Sequence, residues 1–130
     1  MYEIYTDGAY SFKNNTGGIA VVVIDNEVPI IKYNKKYINT TNNRMELLAV
    51  ITALRMIQED VPITLYSDSM YVVGSINLGW KRKKNLDLWK IYDELKKPTN
   101  FTVKHVDGHA GNKWNELCDS LAVRASQLLD

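Results

Sequence analysis

The chain has 130 residues, 45% of them hydrophobic and 24% charged, with a formal net charge of +1. That length suits a single domain, residues 1–130, with a real core, and no apolar run approaches the roughly 20 residues that cross a bilayer, so no membrane role is implied. The amino terminus lacks the charged segment and long apolar core of a secretory signal, which makes a cytosolic setting the expectation.

The first stretch, Tyr2 to Tyr10, alternates as a strand, with Ile4 and Thr6 on one face and Tyr5 on the other, and is expected to stop on Asp7-Gly8. A carboxylate at the carboxyl end of a central strand lies on the rim where open α/β sheets bind ligands, although Asp-Gly after a strand is also a turn signal. After a loop from Ser11 to Gly18, the β-branched run Ile19 to Ile24 reads as a strand covered on both faces. Asp25-Asn26-Glu27 turns the chain into Ile30 to Ile38, whose polar face and Pro29 suit an edge strand, so the first three strands form an antiparallel meander.

A mostly buried helix is predicted over Arg44 to Glu59, then a short buried strand from Pro62 to Ser67 ending in Asp68, then a helix over Ser69 to Leu78 stopped by Gly79. Leu88, Trp89, Tyr92 and Leu95 place a further helix over Asn85 to Lys97, ended by Pro98. A last strand, Phe101 to Val106, leads through a glycine-bearing loop to a helix from about Asn112 to Leu129. Cys118 has no partner for an internal disulfide, and its helical spacing from Trp114 and Leu121 puts it in the core. The predicted order is β-β-β-α-β-α-α-β-α, an α/β fold.

Charge is unevenly placed: from Trp80 to Lys104 eight cations face three anions, which is either a solvated face or the footprint expected for a polyanion. Asp7 and Asp68 each follow a short strand, so they meet at one rim if those strands are parallel neighbours. Singly, each carboxylate has a structural reading: Asp68 opens a helix as a cap would, and Glu46 stands three residues after Asn43, the spacing of a capping box. Helical periodicity puts Asp119 beside the apolar stripe Trp114, Leu117, Cys118, Leu121, Ala125 and predicts exposure. Together, however, several carboxylates with no matching arginines crowd one rim only with a cation, and hard oxygen ligands suit Mg²⁺ or Mn²⁺. Two such ions activate water and stabilise the leaving oxygen of a phosphodiester, which is nuclease chemistry. His109, in the loop Gly108 to Gly111, offers an imidazole able to move protons near neutral pH.

These residues resemble the type 1 ribonucleases H. The likeness rests on Thr6-Asp7-Gly8-Ala9, on Thr41-Asn42-Asn43-Arg44-Met45-Glu46-Leu47, on Ser67-Asp68-Ser69, and on Gly108-His109-Ala110-Gly111 with Asn115-Glu116 and Asp119. They fall in the family's order and span nearly the whole chain. The resemblance implies a five-stranded mixed sheet, with two parallel strands joined to the meander and helices flanking it. It also implies endonucleolytic cleavage of RNA in an RNA/DNA hybrid by a monomer, leaving 5′-phosphate and 3′-hydroxyl ends. By that analogy Asp7 bridges two Mg²⁺ ions, for which Mn²⁺ substitutes, with Asp119 on the water-activating ion and Glu46 and Asp68 on the ion at the leaving oxygen. His109 assists proton transfer or product departure. Glu46 and the backbone near Gly8 and Ala9, with Asn15, Asn42, Asn43 and Met70, read ribose 2′-hydroxyls. Thr41 and Asn85 resemble a pocket for a DNA phosphate, Trp80 an aromatic packed along the deoxyribose strand, and Lys81, Lys83 and Lys84 contacts to DNA phosphates.

Three departures from the family pattern stand out. A long basic insertion is cut to Lys81-Arg82-Lys83-Lys84, Asn39 stands where many members carry arginine beside the phosphate pocket, and Asp107 stands near His109, where it could perturb that histidine or the metal site. Two other readings remain: another nuclease or strand-transfer enzyme of the same fold, and a hybrid-binding module without catalysis.

Overall fold

A computed structural model describes residues 1–128. Five strands and four helices follow in chain order: β1 (Tyr2–Ser11), β2 (Thr16–Asp25), β3 (Val28–Ile38), α1 (Asn42–Met56), β4 (Ile63–Ser67), α2 (Met70–Asn77), α3 (Leu86–Glu94), β5 (Phe101–His105) and α4 (Lys113–Ser126). One mixed sheet has the order β3-β2-β1-β4-β5, with β3, as its alternation suggests, at an edge. The meander β1-β2-β3 is antiparallel and β4 and β5 join it in parallel, which is the expected architecture.

The two sheet faces follow from alternation on β1 and β2. Ile4, Val21 and Val23 pack with Leu47, Val50, Ile51, Val72 and Trp89, so α1, α2 and α3 cover one face. Tyr5, Ala20, Val22 and Ile24 pack with Cys118 and Ala122 of α4 on the other. Cys118 is fully buried, as its spacing predicts, with Sγ 3.4 Å from the carbonyl oxygens of Tyr5 and Ala20. Asn34 and Thr16 donate side-chain hydrogen bonds to the Leu121 and Ser126 carbonyls, tying α4 to the meander.

Several boundaries differ from the sequence expectation. β1 does not stop at Asp7: it pairs with β2 from Tyr2↔Asp25 through Ser11↔Thr16, so the loop shrinks to residues 12–15. Its pairing with β4, in contrast, runs only from Tyr2↔Ile63 to Tyr5↔Tyr66. Asp7 therefore sits within a strand and still reaches a rim, because β1 has lost its parallel neighbour two residues earlier. The hairpin at Asn26 and Glu27 takes left-handed φ at both positions (49° and 66°), the twist that a two-residue connection between antiparallel strands favours.

α1 starts at Asn42, two residues early, because Thr41 is its cap and accepts from the Arg44 backbone N–H at 3.2 Å; it ends at Met56 rather than Glu59. α3 ends at Glu94, not Lys97, where the Lys97 ammonium folds back onto the Tyr92 and Leu95 carbonyls. The far end predicted for α4, Leu129, lies outside the described residues.

Candidate active site

Asp7, Glu46 and Asp68 converge where β1 and β4 separate. Each offers a carboxylate oxygen, and these atoms lie within 4.8 Å of one another. Gly8 makes the approach of α1 possible: a Cβ there would stand 2.4 Å from the Glu46 nitrogen and 2.5 Å from the Met45 carbonyl carbon. The Gly8 N–H then points at both acids, 2.9 Å from Asp7 Oδ1 and 2.8 Å from Glu46 Oε1. Glu46 is buried on this bond and is no member of a capping box, since Thr41 caps α1. Asp68 is likewise free of capping, because Ser69 caps α2 and its own N–H goes to Ser67 Oγ.

The electrostatics are those of a site suited to a cation. Asp7 Oδ2 is buried with no hydrogen-bond partner among the described residues. Burial, then the charges of Glu46 and Asp68, push the Asp7 carboxyl far above the usual range. Burial and the Asp68 charge raise Glu46 as well, opposed by the adjacent Asp7 carboxyl and by the Gly8 N–H. Asp68 is raised by burial, opposed by the adjacent Asp7 carboxyl and the Asn115 side chain. Carboxylates that resist ionising yet lie together in a cleft fit a hard divalent ion, which would supply the charge that no arginine brings. The residues present therefore suit Mg²⁺ or a similar ion.

Asp119 stands apart from that tight trio. It is half-buried rather than exposed, and its charge raises both Asp68 and Glu46. The helical wheel missed this because it ranks α4 positions only against the sheet face, whereas Asp119 faces the rim where the carboxylates gather. Asn115, one turn earlier and 2% exposed, favours the ionised Asp68 with its side chain; it lies in the quoted motif, but sequence alone assigns it no role. His109 is exposed in the loop after β5, with left-handed φ of 58°, and its charge still favours ionised Asp68. Gly108 brings that loop in: a Cβ on it would lie 3.1 Å from Asp68 Oδ2. Asp107 also has a second histidine near it: its carboxylate is 3.7 Å from His105 Nδ1, at the end of β5.

Beside the carboxylates, Thr41, Asn42, Asn43, Lys84 and Asn85 line an open cavity of about 320 Å³, so the two halves of the expected phosphate pocket come together. Asn85 is left-handed (φ 57°) and precedes α3 without capping it. Its side-chain amide is held instead by Arg44 Nη1 at 3.3 Å and by Tyr71 Oη at 3.0 Å, and Tyr71 also accepts from Trp89 Nε1 at 2.9 Å. Arg44 is itself fixed by a bidentate bond to Asp87, 2.9 Å on each arm. Arg44 and Tyr71 were not singled out from sequence; Arg44 lies in the quoted motif, but Tyr71 reads as an ordinary helix residue.

Ala9 follows Gly8 along the rim, and Met70, 40% exposed, starts α2. Asn15 is tied to its own loop, accepting from Tyr10 Oη at 3.0 Å and donating to Asn39 Oδ1 at 2.9 Å. Asn39 thus serves a left-handed turn (φ 52°) where an arginine was the alternative. Trp80 is 46% exposed and lies against Gly74, where a Cβ would meet its ring at 2.4 Å. Lys81, Lys83 and Lys84 are all exposed.

Comparison with known proteins agrees with this geometry. The RNase H family profile matches residues 1–127. A ribonuclease H of Rhodopirellula baltica is 42% identical over 96% of this chain and 90% of its own length. A ribonuclease HI of Synechocystis sp. is 38% identical over 95% and 86% respectively. Among solved structures, LC11-RNase H1, determined in complex with an RNA/DNA hybrid, has a TM-score of 0.79, 24% identity, and coverage of 97% of this chain and 96% of that one, a likeness of fold. A profile that spans nearly the whole sequence, with relatives of this identity over most of their length, means that the chain belongs to the RNase H family of hydrolytic nucleases.

Proposed function

We propose that the chain, as one domain and a monomer in the cytoplasm, hydrolyses the RNA strand of RNA/DNA hybrids to 5′-phosphate and 3′-hydroxyl ends. The observation that carries this reading is the convergence of Asp7, Glu46 and Asp68 around an unpartnered buried Asp7 oxygen, next to a cavity that suits a phosphate. Asp7, Glu46, Asp68 and Asp119 would hold two Mg²⁺ ions, with Mn²⁺ as a substitute. When bound, such ions supply Lewis acidity for an attacking water and for the leaving 3′ oxygen.

The chain's own groups do the rest. The Gly8 N–H orients Asp7 and Glu46 and fixes the rim against which riboses lie. Glu46, the backbone at Gly8 and Ala9, and Asn15, Asn42, Asn43 and Met70 would face the RNA strand, where 2′-hydroxyls distinguish it from DNA. Thr41 and Asn85 would receive a DNA phosphate: the Thr41 hydroxyl accepts from Arg44 and still has its proton to donate, and Asn85 keeps one amide hydrogen beyond the bond to Tyr71. Trp80 would lie along the deoxyribose strand. An end-labelled hybrid, duplex DNA and duplex RNA of one sequence test the proposal. Fragments from the RNA strand of the hybrid alone are expected, whereas equal cutting of duplex DNA would overturn it and binding without cutting would make the chain a hybrid-binding module.

His109 would carry a proton at its imidazole or help product leave, since it is exposed on a loop that touches the Asp68 side of the site. His109→Ala is expected to slow turnover by about 10- to 100-fold without abolishing it, at or below the usual range for general acid or base help. Parent-like rates in both single- and multiple-turnover assays would reduce His109 to a loop residue.

Lys81, Lys83 and Lys84 would touch DNA phosphates. Replacing all three with alanine should lower the magnitude of the slope of log affinity against log salt by roughly 2 to 3. Turnover at saturating hybrid should stay near the parent value, with the loss in apparent KM. Parallel salt lines for the two proteins would mean that these lysines serve only solubility.

A further inference from the structure

Arg82 interrupts the basic run and is turned the other way. Its guanidinium carbon lies 4.1 Å from the Trp89 ring centroid and 6.0 Å from that of Tyr92, and Nη1 reaches both Asp93 oxygens, at 2.8 and 2.7 Å. Lys97 covers Tyr92 at 4.1 Å, and Trp89 and Tyr92 meet edge to face at 5.5 Å. Residues 79–85 form neither helix nor strand. The segment is nevertheless pinned at alternating points. Trp80 lies against Gly74 and donates its N–H to the Gly74 carbonyl, Arg82 is held by α3, and Asn85 is held by Tyr71 and Arg44. The side chains between the pins, Lys81, Lys83 and Lys84, are the exposed ones.

We propose that Arg82 is a positioning residue for nucleic-acid binding: clamped between the Trp89 ring and Asp93, it holds the irregular segment 80–85 on α3 so that Lys81, Lys83 and Lys84 meet phosphates already ordered. The proposal rests on the hybrid-binding reading above. Its physical content is preorganisation, because cations on an unstructured segment must be ordered at the moment of binding, whereas cations on a pinned segment are ordered beforehand. Arginine is the residue for this task, since its planar group stacks on an aromatic face and bridges a carboxylate at once; lysine does one or the other.

The sign of one charge change distinguishes this from simple electrostatics. Asp93→Asn removes a negative charge beside a polyanion site, so summed charge alone predicts tighter binding. The clamp predicts the opposite, a rise in hybrid KM of about five- to tenfold with kcat within about twofold, because Arg82 is loosened. Arg82→Ala should raise KM at least as much, and Arg82→Lys should not restore parent KM although it restores the charge. Asp93 is 54% exposed in its side chain, so its variant is expected to fold. Amide hydrogen exchange at Trp80, whose backbone N–H is bonded to the Gly74 carbonyl, gives a readout independent of the substrate and should accelerate at least about tenfold in Asp93→Asn. Tighter or unchanged binding by Asp93→Asn, parent-like KM in Arg82→Lys, or unchanged exchange would overturn the clamp. A parent protein that does not bind hybrid at all would overturn the functional reading instead, and the exchange rates would still decide whether Arg82 holds the segment.

Discussion

Asp7→Asn is expected to lower turnover on an RNA/DNA hybrid by roughly 10³-fold or more, since an amide cannot supply the charge that holds a divalent ion at the centre of the site, and such an ion supplies several kcal/mol to the transition state. Hybrid binding should remain detectable, because the phosphate cavity at Thr41 and Asn85 and the exposed lysines are untouched. The same change should stabilise the metal-free protein. Asp7 and Glu46 have carboxyl pKa values raised to about 10 and about 8, so their contribution to stability is fully present only below the ordinary carboxylate range and is lost as pH rises toward those values. Asparagine cannot ionise, and at pH 8 without metal the variant should melt higher than the parent by roughly 5 °C, the shift that about 1 kcal/mol produces in a domain of this size. Thermal unfolding from pH 5 to pH 9 checks this. Near-parent turnover would remove Asp7 from the chemistry, and a lower melting temperature at pH 8 would contradict the crowding of charge.

Gly8→Ala should damage both fold and activity. The added Cβ would meet backbone atoms of Glu46 and Met45 at 2.4 and 2.5 Å, and backbone cannot move aside as a flexible side chain can. α1 would have to lift from β1 at the point where Glu46 is positioned. Overpacking of this kind costs about 1–3 kcal/mol, occasionally more, which corresponds to a fall in melting temperature on the order of 10 °C. At temperatures where the variant stays folded, turnover should still fall about 100-fold, since a displacement of about 1 Å in a catalytic group has that effect. A variant with parent-like melting and turnover would show that α1 has slack here and that its close approach to β1 does not position the site.

Much of the fold was legible because its signals are local. The alternation of Ile31, Tyr33 and Tyr37 marked an edge strand, and the unbroken Ile19 to Ile24 run marked a strand covered on both faces. What was misread depends on partners distant in sequence. Asp7-Gly8 looks like a strand end until β2 is laid alongside, with Gly8 opposite Ile19. Glu46 has capping-box spacing, yet the partner that matters is the Gly8 N–H, 38 residues away. Asp119 looked solvated because periodicity sees only its own helix. Arg82 sits in a run of like charges, and only the folded chain reveals that its face belongs to Trp89 and Asp93.

Everything proposed for catalysis depends on Asp7, Glu46 and Asp68 being a cation site that their own crowding demands. Calorimetric titration of Mg²⁺ into the metal-free protein near pH 7, repeated in buffers of different ionisation enthalpy, tests that most directly. Carboxylates that hold protons at neutral pH must give them up to a metal, so saturable binding with net release of protons is expected, seen as a heat that varies with the buffer and is lost in Asp7→Asn. Absence of saturable binding, or a binding heat independent of the buffer, would contradict the account.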